Sequence, residues 1–251
     1  MQILSLHFKG KMAHFRKYYS NSSALSYFIP PRTTIIGIIA GILGYERDSY
    51  YDDFSLENCS ISLACSSPLK KVTQTLNYLM IKVKNDFNGS QEHHSQTSME
   101  LVIPQDIKKG CIDYEIFICH KDDLIMRKLN DICMKDLSAY KSHGISIGLG
   151  TAFNLGWIEY GGVFEGNEKL NGEANINSIM GIDNIEKILL KDGKVDNYLI
   201  KERVPIEFDD ERRITKNGLK NFAVDLKGNA VDAISKKYVS LNDGRNIMWM
   251  E

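Results

Sequence analysis

The chain has 251 residues and a formal net charge of -1, with 43% apolar and 25% charged residues. These proportions suit one or two globular domains and exclude a disordered chain, a collagen or a disulfide-dense mini-protein. The longest apolar run, Ile35 to Leu43, is nine residues, short of the ~17–25 that a spanning helix needs. Lys9 and Lys11 fall where a leader would carry its apolar stretch, so a cytoplasmic protein with no membrane contact is expected.

Gln2 to Phe8 alternates apolar and polar residues and predicts a strand. A basic, aromatic loop runs from Lys9 to Phe28. Pro30 and Pro31 punctuate the chain, and Thr33 or Thr34 is placed to cap a helix to about Leu43. Gly37 and Gly41 share one face of that helix, and Gly44 is its expected terminator. Ile61–Cys65 and Val72–Val83 read as strands, Asn85–Ser98 as a long loop or hairpin tip, and Met99–Ile103 and Ile112–Cys119 as two more strands. Asp122 or Asp123 starts a second helix, in which Ile125, Leu129, Ile132, Cys133 and Leu137 form one apolar face. Ile145–Ile147 predicts a short strand. From about Thr151 strands dominate: Ala152–Phe164, Tyr198–Ile206, Leu219–Leu226, Ala233–Leu241 and Ile247–Trp249, with only Asn184–Leu190 helical in character.

The expected fold is α+β. A ferredoxin-like domain over residues 1–150, the scaffold also used by the common RNA-recognition module, carries the long hairpin; a mostly β subdomain follows over 151–251.

Charge is unevenly distributed. Residues 1–45 hold no Asp or Glu but hold Lys9, Lys11, Arg16, Lys17 and Arg32, while residues 46–251 carry 26 basic and 32 acidic groups. Seven of the 24 aromatics fall in the same 45 residues: Phe8, Phe15, Tyr18, Tyr19, Tyr27, Phe28 and Tyr45. Cations interleaved with rings suit nucleic acid, because phosphates need counter-charge and unpaired bases stack on rings. A solvated loop over buried aromatics is the plain alternative.

Gly144 to Gly162 holds six of the 19 glycines. It lacks the Lys-Ser/Thr of a phosphate-binding P-loop, and Phe153 stands where a dinucleotide fingerprint needs its third glycine. It is either a tight turn or a backbone that a ligand approaches closely. Phe28 to Gly37 sets Arg32 at a helix start, a place that favours anions, though an ordinary capped helix has the same pattern. His93 and His94 read as surface residues. His120 next to Lys121 is a candidate for acid–base work or a histidine with no chemical role. Asp209, Asp210 and Glu211 before Arg212 and Arg213 read as a solvated turn. Cys59, Cys65, Cys111, Cys119 and Cys133 form no C-x-x-C pair, so reduced core thiols, no metal and no cofactor are expected.

The stretches ILSLHFKG, AHFRKYY and PPRTTIIGIIAGILG, together with the later GISIGLGTAFNLGWIE, resemble the CRISPR-associated protein five family, strongest over residues 2–45 and 143–160. The resemblance implies a non-catalytic subunit of a type I Cascade surveillance complex, most like the I-B members. Such a subunit holds and caps the repeat-derived five-prime handle of the CRISPR RNA in antiviral defence. The implied partners are that handle, the backbone subunit and the large subunit, with target DNA met only through the complex. Asn85–Ser98 lies where the family places a protruding thumb. By position, Lys9, Lys11, His14, Arg16, Lys17, Tyr27 and Arg32 are the handle-site candidates, with Gly148 and Gly150 letting backbone approach. The rival reading is a metal-independent endoribonuclease that cuts precursor RNA. The cleaving members use a Lys directly before a His, whereas here His120 precedes Lys121; His14 with Tyr18 or Tyr19 would have to substitute. A protein–protein adaptor with no RNA role is a third reading.

Overall fold

The computed structural model describes residues 1–21, 23–134, 147–189 and 196–251. In chain order the strands and helices are β1 (Gln2–Gly10), β2 (Phe15–Arg16), β3 (Ser26–Tyr27), α1 (Arg32–Leu43), β4 (Cys59–Cys65), β5 (Leu69–Leu79), β6 (His94–Pro104), β7 (Ile112–His120), α2 (Asp123–Met134), β8 (Gly156–Ile176), β9 (Met180–Gly181), β10 (Ile185–Ile188), β11 (Leu199–Pro205), β12 (Leu219–Asp225), β13 (Val231–Leu241) and β14 (Asn246–Ile247). None of the described helices is long and apolar enough to cross a membrane.

The alternation read in β1 places Leu4, Leu6 and Phe8 on one face of a sheet whose strand order includes β8-β1-β7-β4, with each neighbour antiparallel. With α1 crossing from β1 to β4 and α2 from β7 to β8, this is the ferredoxin-like arrangement. Both helices pack on that face: Ile35, Ile36, Ile39, Leu43, Leu129 and Cys133 share one core with Leu4, Leu6, Phe8, Tyr114, Ile116 and Ile118. The opposite face carries Ile3 and Phe117, which are covered by Val239, Leu241, Ile247 and Trp249 of the C-terminal segment. The β4 edge is shielded by two separate segments: Met250, near the C-terminus, donates to Ile61 O at 2.8 Å, and Ile179, just before β9, donates to Leu63 O at 2.8 Å.

Several expectations change. The fourth strand of the ferredoxin-like unit is the first half of β8, beyond the expected boundary at 150/151. β8 is 21 residues long; it pairs with β1 up to Glu165 and then with β13 from Gly166 to Ile176, so one sheet runs through both parts of the chain. Its second half is solvent-facing on most positions, which is why no apolar alternation announced it. Of the short strand expected at Ile145–Ile147, residues 145 and 146 lie outside the described residues, as does Leu137 of the second helix; Ile147 is in no strand, but its carbonyl accepts from Gly156 N. The helix expected over Asn184–Leu190 is instead a 3-10 turn, Ile182–Asn184, followed by β10, which pairs with β13; residue 190 lies outside the described residues. α1 starts at Arg32 without a side-chain cap from Thr33 or Thr34, and ends at Gly44, whose φ of 80° is left-handed as expected.

The long hairpin is present. β5 and β6 pair from Leu69↔Pro104 to Leu79↔His94, forming a separate two-stranded sheet that projects from the β4–β7 connection. Residues 94–98, expected in the loop, complete β6. The inner half is buried or half-buried and the outer half mostly exposed. At the tip Asp86 accepts from the Lys82 and Val83 amides at 2.7 and 2.9 Å.

Candidate nucleic-acid interface

Residues 11–28 form a stitched loop rather than a free one. Ala13 pairs with Val102 in both directions across β6, and Ala24 bonds Ser98 and Glu100 on the same strand. Between them β2 and β3 pair as Phe15↔Tyr27 and Arg16↔Ser26, and Lys17 N donates to Leu25 O at 2.8 Å, a small hairpin lying on the thumb's base. Its turn displays Tyr18 and Tyr19, both exposed and packed edge to face at 5.2 Å.

The glycine-rich segment docks on the other side of this loop. His14 N donates to Leu149 O at 3.0 Å. Gly150 has φ +91°, and a Cβ there would sit 1.8 Å from the His14 carbonyl oxygen. Gly148 is a tight turn, where a Cβ would lie 3.1 Å from Thr151 O. The structure therefore brings the two predicted segments together. The close approach that Gly150 permits is made by the His14 backbone.

The remaining candidates divide by exposure. Lys11 is exposed, donating to Gly110 O at 2.6 Å, and Arg16 is exposed, reaching the Ser20 and Asn21 carbonyls at 3.3 and 3.5 Å. Lys17 is partly exposed, 5.9 Å above the Tyr19 ring and 3.8 Å from Glu202. Lys9 is ion-paired to Glu159 at 2.6 Å and Asp113 at 3.5 Å. Three candidates point inward. Tyr27 is buried under Lys17, and burial raises its phenol pKa. His14 is buried with Nδ1 2.7 Å from Glu100 O; a carbonyl only accepts, so Nδ1 carries the proton, and burial lowers the ring's pKa. Arg32, expected to meet a phosphate, is 1% exposed and donates to Phe54 O, Ser55 O, Cys59 O and Ile206 O at 2.6–3.1 Å. Its guanidinium ties the start of α1 to two neighbouring segments because unpaired carbonyls in a dry core are stronger claimants than solvent.

Beneath the loop lies a buried clasp that sequence reading missed. Lys71 of β5 donates to Ser26 O, sits 4.1 Å from the Phe28 ring centre, and lies 3.4 Å from Glu100 and 3.8 Å from Glu202. Glu202 of β11 also accepts from Phe28 N at 2.8 Å, and Glu100 from Ser26 N at 2.9 Å. Burial lowers the Lys71 pKa and raises that of Glu202, each opposed by the other's charge. Three segments distant in sequence thus hold one loop. Nothing in the one-dimensional pattern marks a lone Lys and a lone Glu in strands as partners.

Other features lie apart from the stitched loop. The open part of the sheet face, where an RNA-recognition module stacks bases, carries Asp113, Glu115 and Glu159, engaged with His7, Lys9 and Arg245. His120 is buried with both ring nitrogens used, Nε2 against Asp53 O at 2.8 Å and Nδ1 accepting from Asp122 N at 2.9 Å. His93 and His94 are exposed on the thumb. Among the described residues no group of three His, Cys, Asp or Glu side chains gathers as a metal site.

Comparisons with known proteins agree with this architecture. Residues 3–92 match the family model described as CRISPR-associated protein (Cas_Cas5), a stretch that spans β1, the stitched loop, α1 and most of the thumb. The whole chain is similar in fold to a CRISPR protein from Archaeoglobus fulgidus, with a TM-score of 0.59 over 98% of each chain at 10% identity. A chain of a CRISPR RNA-guided surveillance complex matches at a TM-score of 0.48, 12% identity, over 92% of this chain and 91% of that one. No curated protein matches by sequence.

Proposed function

We propose that this chain is an RNA-binding subunit of the CRISPR-associated protein five family. In this reading it holds the repeat-derived five-prime handle of the CRISPR RNA at one end of a type I surveillance complex, most like those of subtype I-B. It acts without cutting the RNA, in the cytoplasm, beside a backbone subunit and a large subunit. What carries the reading is one observation: the family match covers the surface of exposed Lys11, Arg16, Tyr18 and Tyr19 with the half-buried Lys17, which the thumb base and the glycine-rich segment clamp in place. Cations meet phosphates and the two tyrosines offer stacking faces. Lys9, His14, Tyr27, Arg32, Gly148 and Gly150 serve by shaping that surface.

The test is to mix purified protein with labelled repeat RNA in EDTA and run native and denaturing gels together. A shifted complex with intact RNA is the expected result. A discrete cut within the repeat would replace the reading with that of a processing ribonuclease. No shift, with or without the backbone subunit, would remove the RNA role.

A further inference from the structure

At the Gly10 end of the open sheet face, three large apolar side chains stand in solvent within five residues: Phe153 is 55% exposed, Leu155 61% and Trp157 42%. Trp157 lies opposite Lys9 in the β1–β8 ladder and Gly156 opposite Gly10, so the group is seated on β1 just before the stitched loop begins. The indole is pinned. Its Nε1 donates to Glu159 Oε1 at 2.9 Å, while Glu159 Oε2 accepts from Lys9 Nζ at 2.6 Å. The ring edge is fixed, and Glu159 and Asp113 share the Lys9 ammonium, at 2.6 and 3.5 Å. Around the same end lie exposed lysines. Lys11 reaches Gly110 O at 2.6 Å, and Lys108 and Lys109 form the turn that closes on that glycine, their amides held by Asp106 Oδ1 at 3.0 and 3.4 Å.

We propose that Trp157, with Phe153 and Leu155 beside it, is a stacking platform for unpaired bases of a single-stranded RNA whose phosphates are met by Lys11, Lys108 and Lys109. The proposal rests on the RNA-binding reading and extends it to a surface outside residues 3–92. Three features favour RNA over a protein partner: the excess of lysine around the rings, the pre-set indole, and continuity with the stitched loop through Gly10 and Leu149. Rings pinned in advance lose little freedom on binding, and any base offers a π-face, so the platform is tolerant of sequence.

The full chain reports on this directly, because its two tryptophans differ: Trp157 is exposed and Trp249 is 7% exposed. An unlabelled mixed-sequence RNA of about 12 nucleotides should quench the protein's emission, and the same RNA annealed to its complement should quench it far less. Trp157→Phe should abolish the quench while keeping affinity within a few-fold, since a ring remains. Trp157→Ala should weaken binding about tenfold or more, read by anisotropy of labelled RNA. Trp157→Ala also controls for folding, because a residue this exposed should leave the melting temperature unchanged. Binding with unaltered emission, and equal affinity in Trp157→Ala, would overturn the platform and leave the RNA-binding reading standing. A Trp157→Ala variant altered only in self-association would mark the patch as a protein contact and also overturn it. No binding by the parent protein would overturn both.

Discussion

Changing Gly150 to Ala is the sharpest probe of how the glycine-rich segment works. The backbone there has φ +91°, a region in which an L-residue is strained by about 1–2 kcal/mol. The new Cβ would lie 1.8 Å from the His14 carbonyl oxygen, and the obstacle is backbone, which cannot rotate away. The segment must therefore lift, losing the His14 N to Leu149 O bond, worth about 0.5–1.5 kcal/mol. Together these give about 1.5–3.5 kcal/mol, or a fall of about 3–14 °C in Tm for a chain of this size. Gly41 in α1 is the internal control, since a Cβ there meets nothing within 4 Å. Gly41→Ala should stabilise by about 0.5–1 kcal/mol, because alanine favours helix over glycine. Thermal unfolding followed by circular dichroism reads both. A Gly150→Ala protein that melts with the parent would refute the claim that this glycine exists for the close approach to His14. If its RNA were bound normally as well, the segment would have no part in shaping the interface.

Other substitutions separate scaffold from surface. Glu202→Ala leaves Lys71 facing a buried gap and should destabilise by about 3–5 kcal/mol; adding Lys71→Met should recover part of that, and strict additivity in urea melts would show that the two do not interact. Arg32→Met should lower stability by a similar amount yet leave the salt slope of RNA binding by the folded fraction unchanged. Arg16→Ala should do the reverse, melting like the parent while the slope against log salt falls by about 0.7; an unchanged slope would remove Arg16 from the interface. The Asp113 hydrogen bond raises the His7 pKa above its ordinary 6.5, so the folded state holds that proton more tightly. The resulting stability is complete below pH 6.5 and fades as the pH rises through the raised value. His7→Gln should therefore lag the parent in urea midpoint at pH 6 and approach it in mild alkali; a gap independent of pH would show that the pair carries no such linkage.

Much of this architecture was legible in one dimension. Alternation in β1 and β7, the 3.6-residue stripe of α2 and the glycine after α1 each report a local rule, and local rules survive translation into a fold. The acid-free first 45 residues likewise predicted a basic, aromatic loop. The second half of β8 escaped because a strand exposed on most positions has no apolar rhythm, and Asn184–Leu190 misled because a four-residue edge strand takes its form from β13 rather than from its own propensity.

What the sequence determined by itself was which residue types were available in the loop. Which of them face solvent was decided only by the tertiary structure. Arg16 and Arg32 are the same side chain in the same acid-free stretch. One stands beside a turn whose carbonyls are already at the surface; the other lies where four carbonyls, three of them buried, converge and draw the guanidinium in. Lys9 and Lys11 differ in the same way, because β7 and β8 set Asp113 and Glu159 beside the first, while the second reaches the Gly110 carbonyl. Charge and hydrogen-bonding capacity are written in the chain, but whether water or protein satisfies them depends on which distant segments arrive alongside.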